Sequence, residues 1–230
     1  MAKILIVGDV HGRKFWHKAE ELVNQVDKVI FLGDYLDPYD VSENDALEEF
    51  KSIVKFYNDN SDKVIMLIGN HDCEYIWPEI FQDTCRHCYS IEKEARVLMQ
   101  NALNLRLIYR MDNYLFSHAG VNKSWLEFIK EYYEEITLED LESFNFNIKT
   151  LNQIGFRRRG YSRCPSCVWA DILEHEIGSL DYYQIFGHTQ LIREYIGEKC
   201  ACLDCRKCFI LNTDTGEITS ASEEISESIE

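Results

Sequence analysis

Three apolar runs, each followed by a glycine and a polar residue, constrain the fold of this chain more than any other feature. The runs cover residues 3–7, 28–32 and 63–68, and the pairs that follow them are Gly8-Asp9, Gly33-Asp34 and Gly69-Asn70. Short apolar, β-branched runs bounded by turn residues are typical of buried strands. Glycine then lets the backbone turn sharply where each strand ends.

Helical patterns lie between these three strands. One apolar stripe is formed by Trp16, Ala19, Leu22, Val23 and Val26, and a second by Leu47, Phe50, Val54 and Tyr57. The order β-α-β-α-β favours a parallel sheet joined by right-handed crossovers. Further strands are predicted at 114–117, 183–186 and 208–211. We therefore predict an α/β fold.

The polar residues after the first three strands are expected to share one site. In open α/β sheets, ligands bind beyond the carboxyl ends of the strands. Asp9, Asp34 and Asn70 should therefore converge on one crevice. Any one of these pairs could be an ordinary turn or a helix N-cap, but the recurrence at successive strand ends argues for a functional site.

Four histidines follow closely on predicted strand ends: His11, His71, His118 and His188. Carboxylate, amide and imidazole donors without a thiolate suit manganese, iron or zinc better than calcium or a cysteine-type structural zinc. Two such ions sharing one carboxylate would polarise a phosphoryl group and make a bridging water acidic.

The polar segments together resemble the signature blocks of the calcineurin-like metallophosphoesterase superfamily. The blocks are Gly8-Asp9-Val10-His11, Gly33-Asp34-Tyr35-Leu36-Asp37, Gly69-Asn70-His71-Asp72, Ser117-His118-Ala119-Gly120 and Gly187-His188-Thr189. The last two are most similar to the phosphoprotein-phosphatase-like branch, with its bacterial and phage relatives and dinucleoside tetraphosphatases. This resemblance implies a four-layer fold in which two mixed β-sheets pack face to face and are flanked by helices.

The resemblance also implies the metal ligands. Asp9 and His11 resemble ligands of a first metal, and Asp34 resembles the carboxylate that bridges both metals. The ligands of the second metal are matched by Asn70, His118 and His188. We expect two divalent ions, manganese first, with iron, zinc or nickel as alternatives.

A catalytic group is implied in the same way. His71 matches the family's catalytic histidine, a general acid for the leaving-group oxygen while a metal-bridging hydroxide attacks phosphorus. Asp37 resembles the carboxylate that orients this histidine, and Asp72 is expected to help.

Two departures from the family pattern concern substrate and metal contacts. Gln190 stands where many members carry a further histidine, so waters are expected to complete the first metal's shell. Asp37-Pro38-Tyr39 replaces the phosphatases' Asp-Arg-Gly, so that branch's phosphate-binding arginine is missing. The candidates to replace it are Arg13, Arg159 and Arg163.

Length and charge limit the number of domains and the partners that the chain can have. With 230 residues, 46% of them hydrophobic, the chain is expected to form a single domain spanning 1–230, with an insert at about 122–167 over the site and an acidic C-terminal tail. A net charge of -16 argues against membranes and long nucleic acid as partners. The apolar runs are too short to span a bilayer, and the N-terminus shows no export signal, so a cytoplasmic location is expected.

The nine cysteines are expected to be free thiols in a reducing compartment. The Cys-x-x-Cys spacing occurs at Cys85 and Cys88, at Cys164 and Cys167, and twice in succession at Cys202, Cys205 and Cys208. The pair Cys164 and Cys167, in the irregular part of the insert, is the candidate for an additional structural zinc.

The leading function is hydrolysis of a phosphate monoester or a nucleotide phosphoanhydride by a metal-dependent phosphatase-like enzyme. Its substrate would be a phosphorylated small molecule, a nucleotide or a phosphoprotein. A phosphodiesterase acting on nucleotides or nucleic acid is the alternative. A non-catalytic scaffold is a third hypothesis, which the retention of His71 and all the matched ligands disfavours.

Overall fold

The three glycine-terminated runs are strands, as predicted, in a computed structural model that describes residues 2–131 and 135–221. The strands are β1 (Lys3–Val7), β2 (Lys28–Phe31), β3 (Val64–Leu67), β4 (Leu105–Arg106), β5 (Ile108–Met111), β6 (Tyr114–Ser117), β7 (Tyr183–Phe186), β8 (Tyr195–Ile196), β9 (Cys200–Cys202), β10 (Cys208–Asn212) and β11 (Ile218–Ser220). The α-helices are α1 (Lys18–Leu22), α2 (Glu43–Asp59), α3 (Asn70–Ile76), α4 (Pro78–Phe81), α5 (Glu92–Ala102), α6 (Lys123–Lys130) and α7 (Leu138–Glu142).

The strands form two mixed sheets. The first has the order β11-β10-β1-β2-β3-β4, in which β1 to β4 are parallel and β10 is antiparallel to β1. The second has the order β5-β6-β7-β9-β8, with a parallel centre of β6, β7 and β9. The helical crossovers between β1, β2 and β3 account for the parallel pairing that the sequence predicts.

The two sheets pack face to face between layers of helices. Ile4, Ile30 and Leu67 of the first sheet share one buried cluster with Phe116 and Ile185 of the second. The opposite face of the first sheet packs on the helical segments before β2 and β3, and that of the second sheet packs on α6 and its neighbours. The predicted four-layer α/β architecture is thus confirmed.

The two predicted apolar stripes fold differently. The second becomes the long helix α2, which begins after Ser42, whose hydroxyl accepts a hydrogen bond from Asp45 N–H. The first yields only the short helix α1, flanked by 3₁₀ turns at Lys14–His17 and Val23–Gln25. Its apolar residues are nevertheless all buried in the core.

The predicted insert contains α6, α7 and two 3₁₀ turns, Ile148–Asn152 and Phe156–Arg158. Of the predicted acidic tail, β11 is present as a short final strand, and residues 222–230 lie outside the described part of the chain. Within residues 2–131 and 135–221, no helix is long and apolar enough to cross a bilayer.

Candidate metal centre

The carboxyl ends of the parallel strands bring the predicted polar residues together. A cavity of about 350 Å³ is lined by Asp34 and Asn70, and by three of the four predicted histidines, His11, His71 and His188. His118 is fully buried directly beneath, with Nε2 3.0 Å from Asn70 Oδ1. Asp9 and His188, which are 179 positions apart in sequence, also meet here. The His188 N–H donates to the Asp9 carboxylate.

Two groups of potential metal ligands share Asp34. One comprises Asp34, His118 and His188, and the other comprises Asp34, His11 and His71; within each group the ligand atoms lie within 4.8 Å of one another. Asp34 Oδ2 is 3.5 Å from both His11 Nε2 and His118 Nε2. A carboxylate between two ligand groups is the arrangement expected for a bridging ligand.

The group around His118 fits a cation. His118 Nδ1 donates to Leu32 O (2.9 Å), which leaves a lone pair on Nε2 of the neutral ring. That nitrogen faces Asn70 Oδ1 at 3.0 Å and His188 Nδ1 at 3.1 Å, besides the Asp34 carboxylate. Several electron-pair donors converging on one point repel each other unless a positive ion lies among them.

His11 and His118 are held in the neutral state that binds metals. Burial lowers the pKa of His11 to about 4 and the pKa of His118 below its usual value, so both rings are neutral at pH 7. His11 Nδ1 donates to Leu36 O (2.8 Å), which fixes its ring with Nε2 toward Asp34. Such backbone hydrogen bonds set the tautomer and orientation of metal-binding histidines.

Asp9 accepts a hydrogen bond from the backbone of another predicted metal ligand, His188. Its carboxylate accepts the His188 N–H at 3.0 Å (Oδ2) and 3.2 Å (Oδ1), and it belongs to neither ligand group among the described residues. Burial raises the pKa of Asp9 well above its usual value. Its assignment as a ligand of the first metal stays a prediction, while the structure shows that it positions the His188 turn.

His71 and Asp37 form a buried pair. His71 Nδ1 donates to Asp37 Oδ2 at 2.9 Å, and Asp37 Oδ1 accepts from Tyr75 OH (2.6 Å) and Cys88 N–H (3.0 Å). Burial acts to lower the pKa of His71, but the Asp34 charge and the Asp37 hydrogen bond outweigh it and raise that pKa well above its usual value. The nitrogen away from Asp37, Nε2, faces the cavity 3.5 Å from Tyr39 OH.

Four of the predicted metal-binding and catalytic residues have left-handed backbone conformations. The φ angles are 46° at His11, 53° at Asp34, 59° at Asp37 and 62° at His188. This region is uncommon for residues other than glycine, and such conformations cluster at functional sites. At these turns, the backbone adopts an unfavourable conformation that sets the direction of the side chain.

Two of the glycines stand where the backbone passes so close to a site carboxylate that no side chain would fit. A Cβ atom at Gly69 would overlap the Asp34 carboxylate, and one at Gly187 would overlap Asp9 Oδ1. The glycines in the signature blocks therefore make room for the neighbouring ligand as well as for the turn.

Asp72 supports the backbone and makes no hydrogen bond to the His71 ring. Its Oδ2 accepts the N–H groups of Asp34 and Gly69, both at 2.8 Å, and its Oδ1 accepts Tyr35 N–H at 3.1 Å. Burial raises the pKa of Asp72 to about 7. The contacts indicate that Asp72 holds the Asp34 and Gly69 turns together. Its expected help to His71 stays a prediction.

We expect Asp72→Ala to lower the free energy of unfolding by about 3 kcal/mol or more, because three buried N–H groups lose their acceptor and each costs roughly 1–3 kcal/mol. Denaturant unfolding of the metal-free protein measures this. Asp62→Ala, at an exposed position, is the control and should unfold like the unmodified protein. A change below about 0.5 kcal/mol in Asp72→Ala would contradict the bracing role.

Of the three arginines predicted to bind phosphate, Arg13 and Arg159 line the cavity and Arg163 does not. Arg163 is exposed in the insert. The structure adds Arg158, which lies next to Arg159 in the sequence but was not among the three candidates. Arg158 Nη2 donates to His188 O and to Thr189 Oγ1, both at 3.0 Å.

The two cavity arginines act on different histidines of the ligand groups. The charge of Arg13 acts on His11, and that of Arg158 acts on His118 and His188. Arg13 is oriented by Asp40, which accepts its Nε–H at 3.1 Å. A phosphate that enters the cavity would therefore meet two guanidinium groups, those of Arg13 and Arg158.

Sequence reasoning also missed Asp204 and Tyr39, which line the cavity with Gln190. Asp204 follows β9, so it repeats the pattern of a polar residue after a strand, but that strand has only three residues. Burial raises the pKa of Asp204 to about 6. Tyr39 occupies part of the segment that departs from the phosphatase pattern, and its ring meets His11 edge-on at 5.3 Å.

All nine cysteines are free, in agreement with the sequence interpretation. Cys167 is buried and Cys164 is partly exposed. Neither belongs to a group of potential metal ligands within residues 2–131 and 135–221. The pair therefore gains no support from the structure as a zinc site, whereas Cys85 does belong to such a group, with Asp37 and His71.

The four-layer fold, with histidine, aspartate and asparagine side chains gathered at the ends of its strands, defines a metallophosphoesterase, a class of phosphoester hydrolases. The calcineurin-like phosphoesterase family model matches residues 2–191. The chain belongs to this family. A search of curated proteins finds no match.

Solved structures share the fold at low sequence identity. A cold-active protein-tyrosine phosphatase of a psychrophilic Shewanella species superimposes with a TM-score of 0.60 at 14% identity, covering 96% of this chain and 80% of that chain. For a protein serine/threonine phosphatase from Saccharomyces cerevisiae, the TM-score is 0.55 at 14% identity, covering 95% and 79%. A putative diadenosine tetraphosphatase gives 0.50 at 15% identity, covering 95% and 92%.

Proposed function

We propose that this chain hydrolyses phosphate monoesters, of a phosphoprotein or a small molecule, or nucleotide phosphoanhydrides, with two divalent metal ions, manganese first. The observation that carries the proposal is Asp34, shared by two ligand groups in a cavity flanked by Arg13 and Arg158. Bound divalent ions supply Lewis acidity and a water acidic enough to attack phosphorus near neutral pH.

The chain's own residues supply the remaining functions. Asp34 holds the two ligand groups at a fixed spacing, and Arg13 and Arg158 bind the phosphate oxygens and orient the ester for in-line attack. His71 gives the proton on Nε2 to the departing oxygen while Asp37 holds Nδ1. Because no side-chain nucleophile is needed, the ester bond is broken without a covalent intermediate.

The placement in the phosphoprotein-phosphatase-like branch is part of the proposal. It is supported by Gln190, which lines the cavity at the position where other branches carry a histidine. The solved structures named above include proteins described as phosphatases and as a diadenosine tetraphosphatase, and they agree with this branch in fold. We also propose that the chain is a single domain and acts in the reducing cytoplasm, which its nine free thiols favour.

The test is hydrolysis of an aryl phosphate monoester, its diester analogue and a dinucleoside polyphosphate by chelator-stripped protein. Manganese, iron, zinc, nickel and magnesium are added back separately. We expect monoester or anhydride hydrolysis to return with a transition metal, manganese first. Faster diester hydrolysis would favour the phosphodiesterase alternative, and activity unchanged by chelator would contradict the metal-dependent mechanism.

A further inference from the structure

The loop between α4 and α5 brings a thiol to the catalytic cavity. Cys85 lines this cavity and is partly exposed, whereas Cys88 is fully buried. Cys88 contacts Asp37 through its backbone N–H, at 3.0 Å from Oδ1. The spacing of Cys85 and Cys88 resembles a zinc knuckle. Among the described residues, however, Cys88 is not part of the group of potential metal ligands that contains Cys85. Cys85 is therefore grouped with the Asp37–His71 pair instead of with its neighbour in sequence.

Asp37, His71 and Cys85 present a carboxylate oxygen, an imidazole nitrogen and a sulfur within 4.8 Å of one another. The imidazole nitrogen that faces Asp37 is Nδ1, and the Arg86 carbonyl oxygen lies 3.0 Å from the same atom. Asp37 is fully buried and held by Tyr75 OH at 2.6 Å. Asp37 and His71 are thus held in place by hydrogen bonds before any metal binds, and Cys85 lies beside them at the cavity.

We propose that Asp37, His71 and Cys85 form a third metal site, which takes Zn²⁺ and inhibits the enzyme. The inhibition rests on the proposed role of His71 as general acid. Zinc accepts this combination of sulfur, nitrogen and oxygen donors in tetrahedral sites, and three protein ligands leave one position open for water. Thiolate selects zinc over magnesium and manganese, so this site discriminates between metals differently from the thiol-free groups around Asp34.

Zinc binding removes the acid from the reaction by a balanced exchange. Starting from His71 in its protonated acid form, the Nδ1 proton and the Cys85 thiol proton pass to solvent, and Zn–N and Zn–S bonds form in their place. No electron is transferred. The ring keeps one proton on Nε2, but it can no longer become an imidazolium ion, because the zinc occupies the Nδ1 lone pair. The Asp37–His71 hydrogen bond is replaced by coordination of both groups.

The test starts from protein loaded with manganese and adds buffered zinc, with Cys85→Ser and Cys164→Ser compared with the unmodified chain. Elemental analysis counts metals after exchange. Cobalt(II) serves as a spectroscopic substitute, since a thiolate ligand gives a near-ultraviolet charge-transfer band that the groups around Asp34 cannot give. Cys164 is the matched control, because it is also partly exposed but lies outside the cavity.

We expect the unmodified chain and Cys164→Ser to bind one zinc beyond the two-metal centre, to show the cobalt band and to lose activity as zinc rises. Cys85→Ser should lack the band and the additional zinc, and should need at least about tenfold more zinc for half-inhibition of its own basal rate. Zinc that enters the two-metal centre affects both variants alike and does not contribute to this difference.

An unchanged cobalt band in Cys85→Ser, or loss of the additional zinc from Cys164→Ser instead, would overturn the proposal. Thermal unfolding is used to check that Cys85→Ser and Cys164→Ser are folded. Cys85→Ala serves as a second variant at the proposed site. Metal stoichiometry and the cobalt spectrum need no substrate. They would therefore decide whether the third site exists even if the proposed hydrolysis failed.

Discussion

Asp34→Ala should lose most of its bound metal and more than about 10³-fold in kcat. Asp34 belongs to both ligand groups, so its removal weakens two sites at once, whereas removal of His11 or His118 weakens one. Metal ions supply several kcal/mol of transition-state stabilisation, and each 1.36 kcal/mol corresponds to a tenfold change in rate. Elemental analysis of the purified protein and steady-state kinetics with an aryl phosphate measure the two effects.

Asp112→Ala is a matched control for the backbone cost of this substitution. Asp112 has the same φ angle as Asp34, 53°, but lies exposed in the turn between β5 and β6. Both substitutions place alanine in a left-handed conformation, so both carry a similar strain. We expect Asp112→Ala to keep its metals and its rate. If Asp34→Ala retained two metals and full activity, the bridging assignment would be wrong.

His71→Ala should lower kcat by about 10²–10⁴-fold for an alkyl phosphate, which is the range for loss of a general acid. The loss should be smaller for an aryl phosphate with an acidic phenol as leaving group, because that oxygen departs without a proton. Metal content should remain intact. Comparison of the two substrates separates proton donation from a general disturbance of the site.

Two variants accompany this measurement. His17→Ala removes a half-exposed histidine outside the cavity and should leave both rates unchanged. Asp37→Asn removes the carboxylate that holds His71 Nδ1 and should reproduce part of the loss. His71 also belongs to a ligand group with His11 and Asp34, so a fall in metal content in His71→Ala would identify it as a ligand rather than the acid.

The sequence predicted the strands that carry a strong pattern. All six predicted strands are present, with boundaries that agree within about two residues. The remaining strands are β4, β5, β8, β9 and β11, which have two to four residues each. A segment that short has no periodicity of its own, and pairing with a neighbouring strand determines its conformation.

The sequence best predicted which residues come together where a side chain follows directly on a strand. Asp34 and Asn70 line one cavity, since the parallel strands β2 and β3 end at the same edge of the first sheet. His188 reaches this cavity from β7 of the second sheet. Arginine placement was less accurate, because Arg158 and Arg163 come from the same irregular segment and nothing local distinguishes them. The tertiary contacts of Arg158 with His188 O, Thr189 Oγ1 and the Asp171 carboxylate hold that side chain at the cavity.

By itself, the sequence determined the α/β fold, the family and the edge of the sheet at which the chemistry lies. These properties follow from local periodicity and from the order of strands and glycines along the chain. Both can be read from the sequence without a structure. The tertiary structure alone decided that Asp72 braces two turns, that Asp204 and Arg158 enter the cavity, and that Cys85 joins Asp37 and His71 instead of Cys88. These contacts join residues far apart in sequence, and their geometry depends on how the two sheets and the connecting loops pack together.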